Sequence, residues 1–238
     1  MPARVGLLLV GHVDERARHI AGDYVHLFGS LLGPVGVEIV PYALDEGRFP
    51  TSLDECAGWI CSPSRASVSD DEPWIAPAEE LHRRIIAEER AYVGICFGHQ
   101  LLARALGGRV ERAAEGWNVG VHDYDVVERL PWMDPPRGRL SLLASHEDQV
   151  VEVPADARLL AQEAHGSCPV AGLVVGERAW TLQAHPEFVS PLAEHLLRLR
   201  VDLIGEAKVD PALASLGRPL HSPVVAQWVA RFFDDVAG

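Results

Sequence analysis

Residues 92–100 read YVGICFGHQ, an apolar stretch that runs through Gly94, Cys96 and Gly98 into a helix-like sequence. A cysteine framed by glycines at a strand-to-helix junction can sit at the tip of a sharp turn. The glycines let the flanking backbone close, and the thiol projects above the sheet edge. A helix N-terminus beneath the sulfur favours thiolate, the nucleophilic form. The N–H of Phe97 then points to where an attacked carbonyl oxygen would gather charge. The alternative for the same residue is a small buried packing cysteine. A thiol nucleophile needs a base and a group that orients the base. Among eleven histidines, His185 in WTLQAHPEF is the best candidate. It follows an apolar strand pattern, and Pro186 forces it into an extended conformation. Glu187 shares its face two residues on. Such a set suits acyl transfer: a thiolate to attack, donors for the acyl oxygen and an imidazole to move the proton.

The elements that must hold these residues are short. Residues 5–10 (VGLLLV), 37–40, 58–61 (GWIC) and 92–95 read as buried strands. Residues 22–32, 74–89 and 99–106 read as helices, the last closed by Gly107 and Gly108. Strand and helix alternating through short connections predict a parallel sheet covered on both faces. Residues 110–128, 141–153, 158–163, 170–175 and 178–183 then read as strands of an antiparallel insertion leading into the last core strand. A helix over 191–205 and a short one over 211–216 follow. Ser222 as N-cap and Pro223 at the first helical position open a final helix that carries Trp228, Phe232 and Phe233.

The chain has 238 residues, with 21 basic and 34 acidic side chains, a net charge of −13. That balance argues against a nucleic-acid or anionic-membrane partner, because phosphates would be repelled. With 48% apolar and 23% charged residues, wholesale disorder is excluded. Four irregularly spaced cysteines form no C-x-x-C pair, which predicts a reducing, cytoplasmic setting. Cys56 and Cys61 read as packing residues and Cys168 as an exposed loop residue. The run 5–10 is too short for a leader or a membrane span. No metal-ligand spacing and no Gly-rich phosphate loop appears, so no metal and no cofactor is expected. The acidic run 70–72 reads as solvated and helix-capping, His12 as close to the sheet edge where ligands bind, and His99 as structural.

GICFGHQ followed about 90 residues later by HPE resembles the class I (triad) glutamine amidotransferase family, in particular its GMP synthase-like branch. Residues 67–75 (SVSDDEPWI), 115–122 (EGWNVGVH) and 145–150 (SHEDQV) also resemble segments of that branch, and the resemblance covers about residues 5–205. It implies a flavodoxin-like three-layer α/β sandwich with a central, mostly parallel sheet and an antiparallel appendage. Residues 1–205 would form that domain and residues 206–238 a helical extension packed on it. It further implies Cys96 as nucleophile, His185 as base and Glu187 as its partner. Gln100, Ser145 and His146 would contact the substrate, with Asp148 shaping the pocket. The activity implied is hydrolysis of the glutamine side-chain amide through a thioester, giving glutamate and ammonia.

Two other readings stand beside it: a γ-glutamyl peptide or γ-glutamyl amine hydrolase with the same residues, and a catalytically silent binding protein. The partner expected is glutamine or a γ-glutamyl compound. Acceptor chemistry would need a separate synthetase, since no synthetase domain is seen in this length. One departure matters. In the family the loop after the third strand usually carries a glycine pair whose second member supplies an oxyanion N–H. Here it reads Cys61-Ser62-Pro63-Ser64-Arg65. Pro63 has no N–H, so Phe97 and Ser64 are the expected oxyanion donors, and the orientation of the Ser64 N–H would separate an active enzyme from a latent one.

Overall fold

The first strand already sets the layering. In the computed structural model, which describes residues 3–237, β1 (Ala3–Leu9) turns Val5, Leu7 and Leu9 to one core and Leu8 to another. A strand apolar on both faces belongs in the middle layer of three. Helices α1 (Arg18–Ala21) and α2 (Tyr24–Leu32) lead to β2 (Val37–Ala43), and β3 (Gly58–Cys61) follows. Helix α3 (Ile75–Ala87), β4 (Tyr92–Ile95) and α4 (Phe97–Ala105) complete the first half. The second half holds β5 (Arg109–Arg112), β6 (Asn118–Val126), β7 (Arg139–His146), β8 (Asp148–Glu152), β9 (Ala157–Glu163), β10 (Gly172–Val175) and β11 (Ala179–Leu182). Four helices end the chain: α5 (Ser190–Leu199), α6 (Val201–Ile204), α7 (Glu206–Ser215) and α8 (Ser222–Ala237).

Nine strands form one sheet in the order β2-β1-β3-β4-β11-β10-β9-β6-β7. The first five run parallel. The other four are antiparallel and continue the same sheet through β10, while β5 and β8 pair separately. This is the flavodoxin-like α/β architecture with its antiparallel part. Helices α2, α5 and α8 bury their apolar stripes on one face. Helices α3 and α4 cover the other. Among the described residues no helix is long and apolar enough to cross a membrane, and no group of three or more His, Cys, Asp or Glu could hold a metal ion.

Several local expectations are corrected. The strands expected over 110–128 and 141–153 are each two strands. The first is split by a turn in which Gly116 takes φ +70°, the second at Glu147. The helix expected over 191–205 breaks at Arg200 (φ −114°, ψ 15°) into α5 and α6. The short helix near 211–216 begins earlier, at Glu206, and holds Pro211 inside it. Ser222 is the first residue of α8, and its hydroxyl is buried without a partner; the His221 carbonyl takes the first amides instead, from Val224 and Val225. The 70–72 run does not cap α3, whose N-cap is Trp74. Cys168 is fully buried, not exposed.

Candidate active site

Cys96 stands between β4 and α4 with φ +51° and ψ −99°, a left-handed backbone that few L-residues adopt. The two glycines permit it for steric reasons. A Cβ on Gly94 would meet the Gly98 carbonyl oxygen at 2.7 Å, and one on Gly98 would meet the Cys61 Cβ at 2.7 Å. The turn therefore closes only without side chains at both positions. Beneath it the buried Tyr92 hydroxyl donates to the Gly98 carbonyl (3.0 Å), tying strand to helix.

Register brings the histidine to the same edge. Strand β11 pairs with β4 so that Leu182 faces Ile95, and the Cys96 N–H donates to the Leu182 carbonyl (2.8 Å). The chain leaving β11 passes the sulfur. Gln183 Nε2 donates to Cys96 Sγ at 3.5 Å. His185 is pinned by its N–H to the Leu143 carbonyl of β7 (2.8 Å). His185 Nδ1 donates to Glu187 Oε1 at 2.8 Å, and both side chains are buried. Phe188 stacks on the ring, with centroids 4.2 Å apart. Nε2 is buried and makes no hydrogen bond of ordinary geometry with any described residue. Burial alone would strip the ring of its proton, but the negative charges of Cys96 and Glu187 outweigh it and hold the His185 pKa above its ordinary value.

A cavity of about 260 Å³ opens over this edge and is lined by Cys96, His185, Gln100, Ser145, His146 and Ser64, among others. Gln100 Nε2 donates to the Asp148 carbonyl (2.8 Å) and to Gln183 Oε1 (3.1 Å). His146 Nδ1 bonds the Asp148 carbonyl (3.0 Å), its Nε2 is unpartnered, and burial lowers its pKa to about 3. Phe97 is the first residue of α4, where helical N–H groups have no intrahelical acceptor. Ser64 sits in a loop fixed at two points. The buried Ser62 hydroxyl accepts from the Val10 N–H (3.2 Å) and donates to the Pro63 carbonyl (3.0 Å), while Ser64 Oγ accepts from the Ala66 N–H (3.1 Å).

His99 takes no place at the cavity. Its Nε2–H donates to the Val170 carbonyl (3.1 Å), Nδ1 accepts from the Thr181 hydroxyl (2.7 Å), and burial lowers its pKa to about 4. His12 lines the cavity and bonds Asp23 (2.6 Å). Sequence reasoning missed Gln183, whose position two residues before His185 in an extended segment was the available signal. It also missed Tyr24 and Arg200 on the cavity wall.

The family model for glutamine amidotransferase class-I matches residues 25–202, most of the chain. This chain belongs to the class I glutamine amidotransferase family. The chain is 29% identical over 194 residues to γ-glutamyl peptidase 3 of Arabidopsis thaliana, covering 78% of this chain and 77% of that one. It is 32% identical over 168 residues to the glutamine-hydrolysing GMP synthase of Aeropyrum pernix, covering 70% of this chain and 31% of that one. A glutamine amidotransferase structure from Thermotoga maritima superposes with a TM-score of 0.77 at 18% identity, over 100% of this chain and 99% of that one, a likeness of fold.

Proposed function

We propose that the protein hydrolyses the side-chain amide of glutamine or of a γ-glutamyl compound through a thioester on Cys96. One observation carries this: the strained Cys96 turn and the His185–Glu187 pair meet at one cavity edge. In this reading the Cys96 thiolate attacks the amide carbon and forms a C–S bond. The oxygen gathers negative charge toward the N–H groups of Phe97 and Ser64. The C–N bond breaks as His185 gives its proton to the leaving nitrogen. Water, deprotonated by His185, then adds to the thioester. The C–S bond breaks, glutamate leaves and thiolate returns. Glu187 keeps the ring oriented and stabilises its charge. Gln100, Ser145 and His146 would hold the glutamyl end.

The Pro63 loop bears on whether this is a silent binding protein. The Pro63 carbonyl is bonded to the fully buried Ser62 hydroxyl, so the N–H of the same trans peptide points the opposite way. That supports a Ser64 N–H aimed outward at the cavity Ser64 lines, and an active enzyme. The size of the cavity favours the γ-glutamyl amide reading over glutamine alone. About 260 Å³ extends past His185 to Tyr24, Leu196 and Arg200, more room than a departing ammonia uses.

The test is glutamate release by the purified protein from glutamine and from γ-glutamyl amides, with trapping of the Cys96 adduct by mass spectrometry. Turnover that persists in Cys96→Ala, or an adduct on another cysteine, would overturn the reading.

A further inference from the structure

Part of the cavity wall has no role in the amide chemistry. Arg200 stands there, at the break between α5 and α6. Its N–H is shared between the Leu196 and Leu197 carbonyls (3.1 and 3.2 Å), so the helix ends at this residue instead of running on. The side chain is half-buried, and its guanidinium makes no hydrogen bond or ion pair with any described residue. The neighbouring carboxylate, Asp14, is committed to Arg16 at 2.8 Å, with Arg65 at 3.8 Å. A guanidinium partly withdrawn from water with no anion in contact carries a desolvation penalty that the more distant Asp14 offsets only in part, and burial lowers its pKa. Tyr24 lines the same wall. It is almost wholly buried, its hydroxyl has no hydrogen-bond partner among the described residues, and it lies close enough to Arg200, Cys96 and Glu187 to feel their charges.

The two walls approach the sulfur from different layers. Gln100 belongs to α4, on the α3–α4 face of the sheet, and is bonded to Asp148. Tyr24 of α2, Phe188 and Leu196 of α5 belong to the opposite core, and Phe188 lies flat on the ring of His185. In a thioester mechanism the imidazole hands its proton from Nε2, in the ring plane, to the leaving nitrogen, so that nitrogen, and whatever it carries, lies in the cavity that His185 shares with Tyr24 and Arg200. A free amide places nothing there.

Resting on the γ-glutamyl thioester reading, we infer that Arg200 and Tyr24 form a carboxylate subsite on the leaving-amine side, and that the preferred substrate is a γ-glutamyl amino acid or peptide. A carboxylate one carbon from the scissile nitrogen would meet the guanidinium as a charge-assisted, two-pronged pair. The tyrosine hydroxyl would donate to it as well.

The test compares γ-glutamylglycine with γ-glutamyl methylamide, which has the same glutamyl half and the same amide bond but no carboxylate on the leaving amine. Binding is measured by calorimetry on the Cys96→Ala protein. γ-Glutamylglycine should bind about tenfold to a hundredfold more tightly. Adding Arg200→Gln should bring the ratio of the two dissociation constants to within about threefold of one. Arg200→Lys should keep part of the preference, and Tyr24→Phe should lower it. A ratio near one before any change at Arg200, which needs no further variant to fold, would overturn the subsite, as would a ratio that Arg200→Gln leaves intact. Turnover by the native protein separates the two ideas: a preserved binding ratio with no glutamate released from either probe supports the subsite and overturns the thioester reading.

Discussion

At the scale of the residue, the four thiols divide by surroundings rather than by chemistry. Burial pushes the Cys61 and Cys56 thiols up, and takes Cys168 to about 12. Cys96 alone among the four lines the cavity. An electrophilic glutamine analogue at neutral pH should therefore label Cys96 and leave the other three, and Cys96→Ala should remain folded with no labelling. Adduct spread evenly over the cysteines, read by peptide mapping, would end the assignment. The charge on His185 gives a second expectation. The thiolate and Glu187 hold its proton against burial, so the alkaline limb of kcat/KM should lie above the ordinary imidazole value of about 6.5. Glu187→Gln removes one of the two supporting charges and should shift that limb to lower pH. His185→Asn should depress the rate far more, since it removes the proton carrier itself. A limb that does not move in Glu187→Gln would mean that the carboxylate only positions the ring.

At the scale of the element, the loop after β3 decides how well an oxyanion is held. Proline fixes its own φ and restricts Ser62, and the Ser62 hydroxyl clamps the Pro63 carbonyl from inside the protein. If the clamp sets the Ser64 N–H toward the cavity, Ser62→Ala should loosen that peptide and lower kcat, by up to about 10²-fold if the donor is lost. Pro63→Gly should leave kcat unchanged or lower it. A rise in kcat with Pro63→Gly would show instead that the resting loop is latent. The same loop illustrates what a sequence can disclose. The Cys96 turn was legible because its requirements are local: two glycines, a strand before and a helix after. His185 and Glu187 were legible because extended backbone puts i and i+2 on one face. The Ser62 hydroxyl bond could not be read, since it depends on where Val10, just past the end of β1, comes to lie. Arg200 fell inside the single helix expected over 191–205, and Tyr24 inside the one expected over 22–32. Both are cavity residues only because α2 and α5 are brought together across more than 150 residues of chain.

At the scale of the whole molecule, the alternation along the first four core strands was enough to indicate three layers. The continuity of the antiparallel strands with the central sheet was not, because pairing partners such as β9 and β6 depend on register and not on composition. The final helix shows how one layer is completed. Phe232 and Phe233 are buried to within 1% and Trp228 likewise, and Trp228 Nε1 donates to the Pro135 carbonyl at 2.9 Å. Phe232 packs edge-on against Trp132 (5.4 Å), which stacks on Trp180 of β11 (4.9 Å). Phe233 fills the space over Gly58 of β3, where an added Cβ would meet its ring at 2.4 Å. The helix therefore seals the underside of the two strands that flank β4, the strand leading to Cys96. Phe232→Ala should lower stability by about 3–5 kcal/mol, the usual loss for a large aromatic removed from a core, seen as a fall in the urea midpoint with an unchanged slope. Strand β11 keeps its hydrogen bonds to β4 and β10 on both sides, so His185 should stay in place, and kcat per folded molecule should change by less than about twofold. A variant whose midpoint holds while kcat collapses would mean that α8 tunes the catalytic edge directly, through Trp180, rather than holding up the layer behind it.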